Sequence, residues 1–95
     1  MNPRVETLNE ALALFSSVGM GARNYSPATC QHYASDLRLF VEYLGQHGID
    51  EVAKVDLADL ESYQAELHRQ GYKASTLNRK AHAIKSFFRF LKRQK

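Results

Sequence analysis

Hydrophobic positions recur along the chain in four blocks, at three- and four-residue spacing, the period of a helix with one apolar face. In the first block Leu8, Leu12 and Phe15 share a face that Ala11 and Leu14 widen. The second carries Tyr33, Leu37, Phe40, Val41 and Leu44, and the third Leu57, Leu60, Tyr63, Gln64 and Leu67. In the fourth, Leu77, Ala81, Ile84, Phe88 and Leu91 form one stripe, broadened by Phe87 and Phe90. No stretch shows sustained strand-like alternation. The pattern predicts an all-α chain: a compact bundle of four main helices with no sheet.

Punctuation sets the bounds at about 6–18, 27–47, 56–70 and 76–93. Thr7 and Glu10 have capping-box spacing, Pro3 is an alternative start, and Gly19 with Gly21 is expected to stop the first helix. Ser26 caps the second, Pro27 suits its first position because no N–H is needed there, and Gly48 ends it. Asp56 caps the third, with Asp59 in its first turn and Gly71 at its end. Ser75 is expected to cap the fourth, which reaches roughly 27 Å at 1.5 Å per residue.

A chain of 95 residues is read as one domain spanning 1–95. The longest apolar runs are a few residues, far below the roughly 20 of a membrane span. No basic-then-apolar secretion signal opens the sequence, so the expected location is the cytoplasm. The single cysteine, Cys30, excludes an internal disulfide and reads as a small packing residue. Four scattered histidines without ligand spacing suggest no metal, and no glycine-rich phosphate loop is present, so no cofactor is expected.

The net charge of +3 is modest, but its distribution is uneven. After Glu66 there is no acidic residue, while Arg69, Lys73, Arg79, Lys80, Lys85, Arg89, Lys92, Arg93 and Lys95 follow. This end of the chain is an electrostatic footprint for a polyanion or, more plainly, a solvated helix face with a basic tail.

If the stripe through Leu77, Ile84 and Leu91 faces the core, the opposite side of the fourth helix shows Ser75, Arg79, His82, Ser86 and Arg89. Lys85 and Lys92 flank that row, and Thr76 joins Ser75 at the N-terminal end, where N–H groups attract phosphate. On the second helix Ser26, Thr29, Gln31, His32 and Ser35 are short polar groups suited to phosphate and base-edge contacts. Each has a second reading: Ser26 and Ser75 as caps, Arg79 as a surface ion pair, and His32 and His82 as merely exposed. Tyr33 and the phenylalanines are read as core. Tyr25 and Tyr72 stay open.

Two segments carry a family resemblance. Ser26 to Phe40, with Thr29, Tyr33, Asp36 and Leu37 between, resembles the "S-x-x-T-x-x-x-Y-x-x-D-L-x-x-F" stretch of the N-terminal core-binding domain of tyrosine recombinases. Gly71 to Leu91, through Thr76, Asn78, Arg79, Ile84, Phe87 and Phe90, is similar to that domain's last helix. Val55 to Leu60 is similar to the entry into its third helix. The resemblance covers roughly residues 5–92 and leans toward Xer- and integron-type recombinases.

It implies an orthogonally packed, SAM-like bundle that clamps duplex DNA opposite a separate catalytic domain during integration or recombination. The second and fourth helices would lie against DNA, and the first would touch a neighbouring protomer. Expected partners are therefore double-stranded DNA, the catalytic domain and neighbouring recombinase protomers, with no membrane and a nucleoid-associated location. The family's arginines, lysine, His-x-x-Arg motif and nucleophilic tyrosine belong to the catalytic domain. None of the five tyrosines here matches that context, and His82 to Lys85 only mimics the histidine motif inside the fourth helix. No catalytic residue is therefore expected in this chain. Two other readings stay open on the residues alone: another helical DNA-binding regulator, and a protein-interaction module using exposed apolar positions of the first helix.

Overall fold

The computed structural model describes residues 6–22 and 24–93, and Pro3 lies outside them. Four helices form, and among the described residues the only β-type pairing is an isolated bridge between Thr7 and Glu51. Helix α1 begins at Leu8–Leu14, passes through a π turn at Phe15–Gly19 and ends with Met20–Ala22. Helix α2 is Pro27–Gln46, a 3₁₀ turn occupies Val52–Lys54, α3 is Leu57–Arg69 and α4 is Ala74–Arg93. The radius of gyration is 13.1 Å, close to the ~13 Å of a compact chain of this length.

Most ends follow the sequence logic. Thr7 Oγ1 accepts from the Glu10 N–H at 3.1 Å, and Glu10 Oε1 accepts from the Thr7 N–H at 3.1 Å, closing a capping box. Asp56 and Asp59 close a second box at the start of α3, at 3.0 and 2.9 Å. Ser26 caps α2, with Pro27 in the first turn. Helix α2 closes in a Schellman motif: Gly48 at φ +77°, its N–H on the Gly45 carbonyl, and the Ile49 N–H on the Leu44 carbonyl. Gly71, at φ +83°, ends α3 with the equivalent pair of bonds to His68 and Leu67.

Three expectations fail. Gly19 does not stop α1, because the helix absorbs one extra residue in the π turn and continues. The glycine is required by packing: a Cβ there would lie 2.5 Å from Phe15 Cδ1 and 3.0 Å from Phe90 Cδ1. Ser75 does not cap α4, since the Lys73 carbonyl already accepts from the Leu77 N–H and Ser75 sits inside the first turn. Leu57, placed on the core stripe of α3, is 69% exposed at the first position of the helix, on the rim of the groove between α3 and α4.

The core is one aromatic-rich cluster. Phe15, Phe40 and Phe87 are fully buried with Leu8, Leu37 and Leu44. Each such side chain contributes about 1.5–3 kcal/mol through burial. Ring contacts run from Phe90 through Phe15, Phe87, Phe88, Phe40 and Tyr63 to Tyr43, with centroids 4.9–6.2 Å apart. This chain of rings links all four helices. Tyr33, as expected, packs half-buried at its edge, and Cys30 packs there too.

On α4 the buried face is turned from the predicted one. Leu77, Lys80, Ala83, Phe87 and Phe90 are buried, whereas Ala81, Ile84, Phe88 and Leu91 are half-buried. A lysine at the centre of an apolar face needs a partner, and its partner organises the site.

Candidate functional site

That partner is Asp36, which projects from α2 among Leu37 and Phe40 and is only 3% exposed. Its carboxylate accepts from Arg79 Nε at 2.9 Å and Arg79 Nη2 at 3.0 Å, a bidentate fork, and from Lys80 Nζ at 3.1 Å. Burial alone would raise the Asp36 carboxyl, but the Arg79 and Lys80 donors outweigh it and hold the group below the usual carboxylate range. The Lys80 ammonium also lies 5.1 Å from the centroid of the Tyr72 ring. Burial pushes the neighbouring Tyr63 hydroxyl up to about 12, with Asp36 adding to the shift.

Three interactions thus fasten α4 to the first half of α2 and the segment before it: Arg79–Asp36, Lys80–Asp36, and the Tyr25 hydroxyl donating to Ser86 Oγ at 3.1 Å. The Tyr25 ring packs edge-on against Tyr33, 5.3 Å between centroids. The alternatives left open for Tyr25 and Tyr72 resolve into these contacts.

The predicted polar residues divide accordingly. Gln31, His32 and Ser35 are exposed on one face of α2. Ser26 is exposed but engaged at the helix start, where its Oγ accepts from the Thr29 N–H at 3.2 Å and donates to Thr29 Oγ1 at 2.9 Å; Thr29 is half-buried. On α4, Ser75, His82, Lys85 and Arg89 are exposed, and Thr76 is half-buried.

Two members of the predicted row are corrected. Ser86 is half-buried and held by Tyr25. Arg79 is not a free donor on the outer face: its side chain is 37% exposed and its inner edge is committed to Asp36. Both shifts follow from the turn of the buried face, and the outer row of α4 becomes Ser75, Asn78, His82, Lys85, Arg89 and Lys92. Asn78 was missed because the apolar stripe was centred on Ala81 and Ile84. Asp36 and Lys80 were missed because periodicity assigns charged residues to solvent; their signal was position, since each stands at core spacing within its apolar stripe.

Electrostatically the face is one-sided. Between Glu10 and Glu42 the only acidic residue is Asp36, and no acidic residue follows Glu66. The first half of α2 and the whole of α4 therefore present no exposed carboxylate. Lys73, Lys85, Arg89, Lys92 and Arg93 are exposed and form no ion pair with another described residue. Among the described residues no group of three His, Cys, Asp or Glu side chains is placed to hold a metal, and no helix is long and apolar enough to cross a membrane.

Residues 13–95 match the family described as "Phage integrase, N-terminal SAM-like domain". The chain is 38% identical over 73 residues to tyrosine recombinase XerC of Halalkalibacterium halodurans, covering 77% of this chain and 24% of the relative. It is 30% identical over 91 residues to tyrosine recombinase XerC of Anoxybacillus flavithermus, covering 96% of this chain and 30% of the relative. The chain thus spans about a quarter to a third of the length of these curated relatives. No solved structure matches it significantly.

Proposed function

Since the chain belongs to the phage integrase N-terminal SAM-like family, as a core-binding domain of the tyrosine recombinases, we propose that it grips duplex DNA through α2 and α4 as one half of a clamp. The other half would be the catalytic domain of the parent recombinase, which would carry out strand exchange during integration or recombination. On this reading the chain contributes no catalytic residue and needs no cofactor. It meets neighbouring protomers once they are assembled on DNA, at the nucleoid.

The observation that carries the reading is the face just described: cations along α4 with no ion pair among the described residues, short polar groups on the first half of α2, and no exposed carboxylate on either of these stretches. Such a surface neutralises phosphates and releases their counterions. The outer row Ser75, Asn78, His82, Lys85 and Arg89 follows one side of a 20-residue helix, a shape the major groove admits. His82, Asn78, Gln31 and His32 supply groups for base edges, whereas Lys85, Arg89 and Ser35 suit the backbone. Arg79 contributes the outer edge of its guanidinium.

A protein-interaction role through α1 has less to work with. Leu8, Ala11 and Phe15 are buried, which leaves Val18, at 50% exposure, as the large apolar side chain of that helix open to solvent.

Titration of the chain with short duplex DNA at about 50 and about 200 mM salt tests the proposal. The affinity should fall with a slope near −0.9 per neutralised phosphate in a log–log plot. Absence of duplex binding at the lower salt would reject it.

A further inference from the structure

An arginine committed to a carboxylate is a weak phosphate ligand, because the pair is neutral from a distance. In this cluster the carboxylate is shared. Asp36 takes Nε and Nη2 of Arg79 on one side and Nζ of Lys80 on the other, so one carboxylate faces two cations and one positive charge is left over. The two cations are not equivalent. The Lys80 side chain is 4% exposed and cannot reach a ligand, whereas Arg79 is 37% exposed. The fork uses two of the five guanidinium N–H groups, leaving the Nη1 pair and the second Nη2 hydrogen directed away from Asp36.

We propose that Lys80 is a positioning residue of the DNA-facing surface: its buried ammonium neutralises Asp36, so that Arg79, held by the same carboxylate, meets a backbone phosphate with its charge intact. The inference rests on the DNA-binding reading above and assigns a division of labour within it. Asp36 fixes the guanidinium, so the rotamer entropy of a long side chain is spent on folding and not on binding. Lys80 restores the charge that this fixing would otherwise cancel. The Tyr72 ring beside Nζ and the single shared carboxylate make the site tolerable for a buried ammonium.

Lys80 itself touches no ligand, so its effect on binding must be read through charge. Lys80→Met sets the cluster charge to zero while leaving Arg79 and its fork in place. Binding of a random-sequence duplex should weaken about twofold at low salt, the effect of a unit charge acting over roughly 10 Å through a largely aqueous medium. The salt slope should become shallower by up to about 0.9. The double variant Asp36→Asn, Lys80→Met removes one charge of each sign and returns the cluster to one net positive charge. It should bind more tightly than Lys80→Met and regain the wild-type slope, short of wild-type affinity only by the lost fork on Arg79, although it forms fewer native interactions than the single variant.

A merely structural role for Lys80 predicts the reverse order, with the double variant no better than the single, and that result overturns the proposal. Circular dichroism melting establishes that each variant is folded at the titration temperature. If Lys80→Met does not fold, Lys80→Gln, whose amide can still donate to Asp36, takes its place in both the single and the double variant with the same expectations, and a double variant no better than the single overturns the proposal. Failure of the unmodified chain to bind duplex at all would instead reject the DNA-binding reading on which the inference stands.

Discussion

On the side of the molecule built from the second half of α2, the 49–55 connection and α3, carboxylates outnumber cations, and part of the charge is engaged locally. Arg69 pairs with Glu66 one turn away, Arg38 lies 3.5 Å from Glu42, and Asp56 and Asp59 are spent on the capping box of α3. On the side built from the first half of α2 and α4, the only acid is Asp36, which is buried, and the outer cations have no partner among the described residues. Exposed pairs of the first kind contribute little to stability, and like charges left unpaired on one helix cost a little. The contrast teaches where the chain holds charge in reserve. One face carries an excess of carboxylates, and the other carries cations with no carboxylate beside them except the buried Asp36.

Four experiments probe this difference, beginning with the largest effect. Asp36→Ala removes the shared carboxylate and leaves Lys80 buried without a counter-charge. The cost should be about 3–5 kcal/mol, read by urea or thermal denaturation. A loss below about 1 kcal/mol would mean that the cluster does not hold α2 to α4.

Replacing Lys85 and Arg89 together by alanine should weaken duplex binding roughly tenfold at moderate salt and reduce the salt slope by about 0.9 for each phosphate no longer neutralised. Stability should stay within about 0.5 kcal/mol, since both side chains are exposed. An unchanged slope would remove α4 from the interface.

The third measurement is a pH titration of stability. The folded-state value of Asp36 is depressed, so its contribution is complete above the unfolded carboxyl value of about 3.9 and fades as pH falls through the lower folded-state value. Asp36→Asn should flatten that acid limb, and a limb of unchanged steepness would assign it to other carboxyls. The smallest effect is expected on the acidic side. Glu66→Gln releases Arg69, and both the melting temperature and the duplex affinity should be indistinguishable from those of the parent chain. A gain in affinity would show that α3 also feels the DNA field.

Much of this architecture was legible in the residues. Thr7–Glu10, Ser26–Pro27, Asp56–Asp59, Gly48 and Gly71 marked helix ends through local chemistry, and local chemistry is what a sequence states most directly. The Tyr33, Leu37, Phe40 and Leu44 stripe was visible for the same reason. The site was legible in outline, through the acid-free stretch after Glu66 and the polar start of α2.

What escaped depends on pairs of distant residues. Asp36 and Lys80 are 44 positions apart, and each looks like a surface residue until the other is placed beside it. Once both are recognised as core, the buried face of α4 turns, Arg79 moves inward, Ser86 meets Tyr25, and Asn78 comes to the outer row. Gly19 misled for a related reason: a glycine demanded by two rings reads the same in sequence as a glycine that ends a helix.

The wide turn at Phe15–Gly19 has a consequence for how length can vary. The Met20 N–H bonds to the Phe15 carbonyl, five residues back, and both side chains are buried. Removing one residue from the exposed stretch 16–18 would let the same two groups close an ordinary four-residue turn, so that Leu8, Ala11 and Phe15 on one side and Met20 on the other keep facing inward. Deletion of a single residue is therefore absorbed at this point of α1, whereas anywhere along Leu77–Phe90 it would swing half of the interior side chains by about 100° into water.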